Sequence, residues 1–219
     1  LKPLNNEGRP GILKVAPADP SIEAIKKAAS IIKAGGTIAY PTRCLYGLGA
    51  DAFNAAAVDK IYSIKQRPAQ KPILILIDHP RQLKRLVTQV PMVAEKLMRQ
   101  FWPGKVTIVF EARSDVSPVL TGGSGKIGVR LPGHPVASAL VEAVAGPITG
   151  TSANLSGSSG CHQINDLAPQ VARRLELVLD AGPLAGGVGS TVVDTTRGDR
   201  PAVLREGVIS VRDIMMAGS

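Results

Sequence analysis

The chain has 219 residues, 44% of them apolar, which is enough for one sizeable core. With 26 basic and 17 acidic residues its net charge is +9, which favours a polyanionic ligand or partner, while a 3% aromatic content argues against a single-strand RNA binder built on stacked rings. No run reaches the roughly 18 apolar residues of a membrane span, and two cysteines, Cys44 and Cys161, make neither a disulfide framework nor a metal quartet, so the expected setting is the reducing cytoplasm without a membrane partner.

Residues 1–18 are polar and rich in Pro and Gly, and read as a loose N-terminal arm. Asp19-Pro20 is a helix start, and Ile22, Ile25, Ala29 and Ile32 give its apolar stripe until Gly35-Gly36 ends it. A short strand over 37–40 runs into Pro41-Thr42. Asn54 caps a second helix, with Val58, Ile61 and Ile64 inward and Lys65 at its end. The run Ile73-Leu74-Ile75-Leu76-Ile77 reads as a strand covered on both faces. Helices are expected near 80–87 and 91–101, strands over 106–110 and 127–131, and a mobile loop over 121–125. A helix over 135–144 and a buried strand over 147–149 follow. Strands over 177–180, 191–194 and 201–204 close a body of 19–212, with a tail at 213–219. Alternating elements early and crowded strands late read as an α/β (α+β) fold, a single domain with a mixed, twisted β-sheet and flanking helices.

Conventional catalytic kits are poorly represented. His79, His134 and His162 adjoin prolines or sit in loops, and no zinc-ligand spacing or Gly-x-Ser-x-Gly elbow occurs. Gly122-Gly123-Ser124-Gly125-Lys126 has the wrong spacing for a phosphate-binding loop and is followed by Ile127. Cys44 reads as a packed thiol rather than a nucleophile. A reaction whose nucleophile comes from the substrate needs cations, hydroxyls and backbone N–H groups instead. Lys65, Arg67 and Lys71 gather three cations at one strand entrance, or else form a solvated surface group. Thr151, Ser152 and Asn154 offer uncharged donors for phosphate or carboxylate, or else a capped turn. Arg130 is a cation inside an apolar strand, and Arg205 follows Val203-Leu204. Each calls for a protein carboxylate or a ligand anion.

Taken in order, Pro41-Thr42, Lys65-Gln66-Arg67, Trp102-Pro103-Gly104, Val129-Arg130-Leu131-Pro132, Ser152-Ala153-Asn154, Ser190-Thr191 and Leu204-Arg205-Glu206-Gly207 resemble the YrdC-like family, the threonylcarbamoyl-AMP synthases of tRNA modification. The resemblance spans about Ile22 to Ile209. It implies an open mixed sheet around a concave cationic cavity. It also implies joining of L-threonine, bicarbonate and ATP into threonylcarbamoyl-AMP and pyrophosphate, a nucleotidyltransferase reaction whose product feeds N6-threonylcarbamoylation of adenosine 37. By the same resemblance, Lys65 and Arg67 are catalytic. Arg67, Lys71, Ser152, Asn154 and Arg205 face ATP, and Thr42, Cys44, Arg130, Thr151 and Ser190 surround threonine. Mg²⁺ arrives with ATP, and the protein supplies no metal ligand. Expected partners are double-stranded RNA or tRNA and the downstream threonylcarbamoyl-transfer machinery. Arg43 and Cys44 depart from the family's usual acidic residue and threonine, Leu76 stands where many members carry histidine, and Lys105 follows Trp-Pro-Gly in place of proline. The competing reading is an RNA-binding module without catalysis. A carbamoyl-phosphate-using module like that of hydrogenase maturation is a third.

Overall fold

The computed structural model of the protein describes residues 10–218. Its strands form two mixed sheets rather than the single sheet expected. The first has five strands in the order β1 (Gly11–Lys14), β9 (Leu177–Asp180), β2 (Ile38–Pro41), β3 (Tyr46–Gly49) and β8 (Thr151–Ser152). The second runs β11 (Ala202–Arg205), β10 (Thr191–Asp194), β5 (Val106–Glu111), β6 (Lys126–Arg130), β4 (Ile75–Leu76) and β7 (Ile148–Thr149). The helices are α1 (Ile22–Lys33), α2 (Ala55–Lys65), α3 (Met92–Phe101), α4 (Pro118–Thr121), α5 (Pro135–Val144), α6 (Pro169–Ala172) and α7 (Val211–Gly218).

The two sheets meet where β7 passes into β8 across one residue, Gly150. A Cβ there would lie 2.5 Å from Leu74 Cδ1 and 3.0 Å from Leu76 Cγ, so any larger residue would push these leucine side chains aside. Strand alternation then divides the core. Ile38, Tyr40, Leu177 and Leu179 turn to one side, where Ile25 and Ile32 of α1 and Leu140 and Val141 of α5 bury them. Ala39 and Val178 turn to the other, joining Ile61 of α2, Leu97 of α3 and Ile108 and Val129 of the second sheet. Both faces of the first sheet are covered, which explains why its central strands are apolar without a break.

Several boundaries differ from expectation for identifiable reasons. Helix α1 is capped by Ser21, whose side chain accepts from the Ala24 N–H at 3.2 Å, two residues later than the Asp19 cap. Asn54 does cap α2, accepting from the Ala57 N–H at 3.1 Å. Within the expected arm, Gly11–Lys14 is a strand in parallel register with Leu177–Asp180. It is an edge strand, so Ile12 stays 56% exposed and the apolar signal is short. Residues 1–9 lie outside the described residues. Of the run 73–77 only Ile75 and Leu76 join a ladder, although Ile73 and Ile77 are buried too. The stretch 80–87 is a 3₁₀ turn, Pro80–Arg85. The loop over 121–125 is preceded by α4 and tied down by the Ser124 hydroxyl, which donates to the Thr121 carbonyl at 2.6 Å.

The expected tail is mostly helix α7, which packs on α3 with Ile214 fully buried, while Met216 on its outer face is 60% exposed. Ile214→Ala should lower the unfolding free energy in urea by about 2–4 kcal/mol, the usual loss for a buried large-to-small change. Met216→Ala should stay within about 0.5 kcal/mol of wild type. Equal, negligible effects would mean that α7 contributes nothing to the core.

Candidate functional site

A cavity of about 650 Å³ opens at the junction of the two sheets. Its walls are the β2–β3 turn (Thr42, Arg43, Cys44, Leu45), the turn after α2 (Arg67), and the faces of β5 and β6 (Thr107, Val109, Gly128, Arg130). The crossing Gly150-Thr151-Ser152 and the β10–β11 edge (Ser190, Val192, Leu204, Arg205) close it. Six basic side chains line it: Arg43, Arg67, Lys126, Arg130, Arg197 and Arg205. Among the described residues Asp194 is the single lining carboxylate.

That carboxylate is already committed. Burial alone would raise the Asp194 pKa, yet hydrogen bonds hold it below the ordinary value. They come from the Thr196 N–H (2.8 Å), the Thr196 hydroxyl (2.7 Å) and the Lys126 ammonium (3.1 Å). Arg197 Nε also lies 3.6 Å from the Asp194 carboxylate, whereas Arg43, Arg67, Arg130 and Arg205 meet no acid among the described residues. Arg130 rises from the apolar strand β6, and its Nε is buried without a hydrogen-bond partner. Burial lowers its pKa first, and the nearby Arg205 and Arg43 charges lower it further. Burial also lowers Arg67, with Arg205 again adding repulsion. Arg67, Arg130 and Arg205 thus converge as like charges, which is an arrangement stabilised by a bound polyanion.

Neutral donors surround them. The Ser190 hydroxyl shares a hydrogen bond with Thr107 Oγ1 at 2.8 Å. Thr42 Oγ1 donates to the Leu45 carbonyl at 2.5 Å and so shapes the β2–β3 turn. Thr151 and Ser152 line the crossing, and Cys44 lines the cavity while only 6% exposed. Arg67 is aimed by its own backbone, donating from Nε to the Lys71 carbonyl (3.1 Å) and from Nη2 to the Pro72 carbonyl (2.9 Å). Arg205 Nη2 donates to the Ser190 carbonyl at 2.7 Å.

Three of the expected site residues do not face the cavity. Lys65 is 1% exposed, and its ammonium donates to the Ser152 carbonyl (2.6 Å), the Asn154 carbonyl (2.9 Å) and Asn154 Oδ1 (3.1 Å). Asn154 is equally occupied: Oδ1 also accepts from the Ser152 hydroxyl, and Nδ2 donates to the carbonyls of Leu155 (2.8 Å) and Ser158 (2.6 Å). These two residues hold the Ser152 turn from behind. The Lys71 side chain is exposed and lines nothing; its carbonyl orients Arg67. Leu76 is fully buried in the core and Lys105 is exposed, so neither departure from the family pattern reaches the cavity.

The sequence reading missed Thr107, Lys126, Asp194 and His134. Thr107 was visible only as a hydroxyl inside an apolar strand. His134 precedes Pro135 and caps α5, with Nδ1 accepting from the Val136 N–H at 3.3 Å, and burial lowers its pKa. Among the described residues, no group of three His, Cys, Asp or Glu side chains could hold a metal ion, and no helix is long and apolar enough to cross a membrane.

Fold and site together define an α/β protein with a cavity lined by cations at the junction of its two sheets. Residues 30–207 match the family of Sua5, YciO and YrdC, described as telomere recombination, and the chain belongs to that family. It is 38% identical to the threonylcarbamoyl-AMP synthase of Pyrococcus abyssi over 190 residues, 87% of this chain and 56% of the relative. It is also 38% identical to that of Bacillus subtilis over 191 residues, 87% and 55% of the two chains. The chain therefore spans about half the length of these curated relatives. The structure of P. abyssi Sua5 complexed with L-threonine superposes with a TM-score of 0.89 at 36% identity, covering 94% of this chain and 60% of that one.

Burial, followed by the neighbouring Arg67 charge, lowers the Lys65 pKa to about 8. In the unfolded chain it returns to about 10.4. Between these values the unfolded state binds more protons, so the contribution of Lys65 to stability rises with pH; below about pH 8 it is flat. The difference in unfolding free energy between wild type and Lys65→Met should therefore grow from pH 8 upward. A flat difference through pH 10 would show an ammonium with ordinary hydration.

Proposed function

We propose that the chain is an L-threonylcarbamoyladenylate synthase, joining L-threonine, bicarbonate and ATP into threonylcarbamoyl-AMP and pyrophosphate. The observation that carries this reading is the cluster Arg67, Arg130 and Arg205, converging in one cavity without an acid partner. The names of the P. abyssi and B. subtilis relatives, and the threonine bound to P. abyssi Sua5, support the choice of substrates. A cavity of about 650 Å³ is of the size that takes a nucleotide with a small second substrate.

In this reading the threonine amine attacks the bicarbonate carbon, and water leaves to give a carbamate. A carbamate oxygen then attacks the α-phosphorus of ATP, the α–β phosphoanhydride breaks, and pyrophosphate departs. The protein supplies no nucleophile. It supplies charge and orientation. Arg67 and Arg205 receive the phosphates. Arg130, the most deeply set of the three, receives the threonine carboxylate or carbamate, with Thr42, Thr151 and Ser190 offering hydroxyls around it and Cys44 packing as a wall. Ser152 meets the nucleotide from a turn that Lys65 and Asn154 keep rigid, so those two are positioning residues. Mg²⁺ carried with ATP would offset part of the phosphate charge; Asp194, held by Lys126 and Thr196, is not free to bind it. The product serves threonylcarbamoylation of adenosine 37 by separate transfer machinery, and the net charge of +9 suits contact with tRNA.

Pyrophosphate release by the pure protein should require threonine, bicarbonate and Mg²⁺ together. Release without threonine, or with carbamoyl phosphate in place of bicarbonate and ATP, would overturn the reading. Arg67→Ala should lower kcat/KM by about 10²-fold, on the order of 3 kcal/mol, because its contact strengthens as charge shifts in the transition state. Its melting temperature should barely move, and Arg67→Lys should recover only part of the rate, since a point charge lacks the planar fork. An unchanged rate with weakened RNA binding would favour the non-catalytic RNA module.

Cys44→Ser should keep its activity and tighten threonine binding, because a hydroxyl is a better donor than a thiol. Complete loss of turnover in a folded Cys44→Ser protein, judged by its melting curve, would mark Cys44 as chemically essential.

A further inference from the structure

The chain has three Phe, three Tyr and one Trp, and among these only Phe53 is exposed, at 45%. It stands in the loop between β3 and α2, where its neighbours Ala52, Ala57 and Val58 are buried. The loop is held by its own hydrogen bonds. The Phe53 N–H donates to Asp51 Oδ1 at 2.9 Å, and the Ala52 N–H donates to the Pro147 carbonyl at 3.0 Å. Phe53 forms one wall of a recess of about 400 Å³, with Lys84, Arg85, Arg113, Asp115 and Val116 around it. None of these residues lines the cavity between the sheets. The Arg85 guanidinium lies over the Phe53 ring, 5.4 Å from its centroid. The segment carrying Lys84 and Arg85 is tied to the end of β5. The Arg113 N–H donates to the Leu86 carbonyl and the Thr88 N–H to the Glu111 carbonyl, both at 3.0 Å.

The charges of the recess are unevenly matched. Asp115 meets Arg113 Nε at 3.1 Å, whereas Lys84 and Arg85 are exposed and belong to no salt bridge among the described residues. A ring held in the open beside two cations without an acid has the composition of a protein contact, in which aromatic and arginine anchors supply most of the binding energy. Phe53 and the buried Val116 offer an apolar floor, and the cations stand beside it. The complement is an apolar side chain flanked by carboxylates. An RNA strand suits the recess less. Holding a strand takes several stacking rings along a basic track, and here there is one ring, with Asp115 among the cations. A second copy of this chain also suits it less, because the sequence nowhere places two acidic residues side by side.

We propose that this recess docks an acidic segment of a partner protein, with an apolar or aromatic side chain on Phe53 and carboxylates on Lys84 and Arg85. The contact is independent of the chemistry in the cavity, since the two share no lining residue.

The probe is the peptide Glu-Asp-Trp-Glu-Asp, capped at both ends and titrated into the ¹⁵N-labelled protein while the backbone amide signals are followed. The signals of Phe53, Lys84, Arg85 and Arg113 should shift more than those of Thr42 and Ser190 in the cavity. The same peptide with glycine for tryptophan should bind the recess about fivefold more weakly. Phe53→Ala should weaken the tryptophan peptide by about the same factor, and the double change Lys84→Glu with Arg85→Glu by about tenfold or more. Reversing Lys26 and Lys27 instead, exposed on α1, alters the net charge equally and should leave the affinity within about twofold. Because the altered side chains are exposed, none of these variants should lower the melting temperature appreciably. Shifts confined to the cavity, or an affinity that Phe53→Ala leaves unchanged, would overturn the inference. An equal loss from the Lys26 and Lys27 reversal would also overturn it, since only net charge would then be at work. If oligouridine shifted the four recess signals and the peptide did not, the recess would be an RNA contact and the inference would fall.

Discussion

The ammonium of Lys65 is the contact on which the site depends. It is the last residue of α2, and its three bonds end on the backbone and side chain of Ser152-Ala153-Asn154. That segment follows Gly150, the single residue by which the chain crosses from one sheet to the other. One buried side chain therefore ties a helix packed in one core cluster to the seam between the sheets. Removing it would leave the Asn154 carbonyl without a donor in a dry region, at about 1–3 kcal/mol, while the Ser152 carbonyl keeps the Asn154 N–H and Asn154 Oδ1 keeps the Ser152 hydroxyl. Truncation of such a residue costs far more than its net contribution to the intact fold would suggest.

The cavity inverts this economy. Behind the wall Lys65 and Asn154 satisfy each other and hold the Ser152 turn; in front, like charges converge and Arg130 keeps a buried N–H with no acceptor. Buried charge without a partner destabilises the fold. Here that cost falls on a concave surface where, among the described residues, the only lining carboxylate is engaged by Lys126, Thr196 and Arg197. The arrangement is stable because it is small and because the flanking clusters are fully packed. Its affinity for anions follows directly from the missing counter-charge, with no need for a helix N-terminus or a glycine-rich loop.

How much of this could be read from the sequence depended on whether a residue's role was set by composition or by direction. Arg130 and Arg205 were legible because each is a guanidinium at an apolar strand, and both line the cavity, while Glu206 beside Arg205 turns to the Val211 N–H. Helix α2 and its Asn54 cap were legible because capping is local. Lys65, Lys71 and Asn154 were not: their residue types suit a phosphate site, but which way each side chain points is decided by tertiary packing. The division into two sheets was hidden because β4 and β7 of the second sheet and β8 of the first have two residues each, too few to show a period. Strand β1 was hidden because it is an edge whose apolar residues are half exposed. Lys126 was weighed only as the end of a glycine-rich segment of the wrong spacing, and Asp194 was not read as a site residue, because only the second sheet brings the two together.

The two short motifs acquire a common logic from this. In Lys65-Gln66-Arg67 and in Ser152-Ala153-Asn154 the outer residues stand two apart, and in each pair one lines the cavity while the other lies behind it. Arg67 and Ser152 face forward. Lys65 and Asn154 meet each other at the back. The intervening residues serve the turn: Gln66 takes the left-handed conformation at the end of α2, with φ 49°, and Ala153 is fully packed. The motifs are thus two halves of one device, a rear hydrogen-bonded clamp carrying a forward cation and a forward hydroxyl. Motif matching sees four residues suited to phosphate. The geometry separates them into two that can touch a ligand and two that decide where those groups stand.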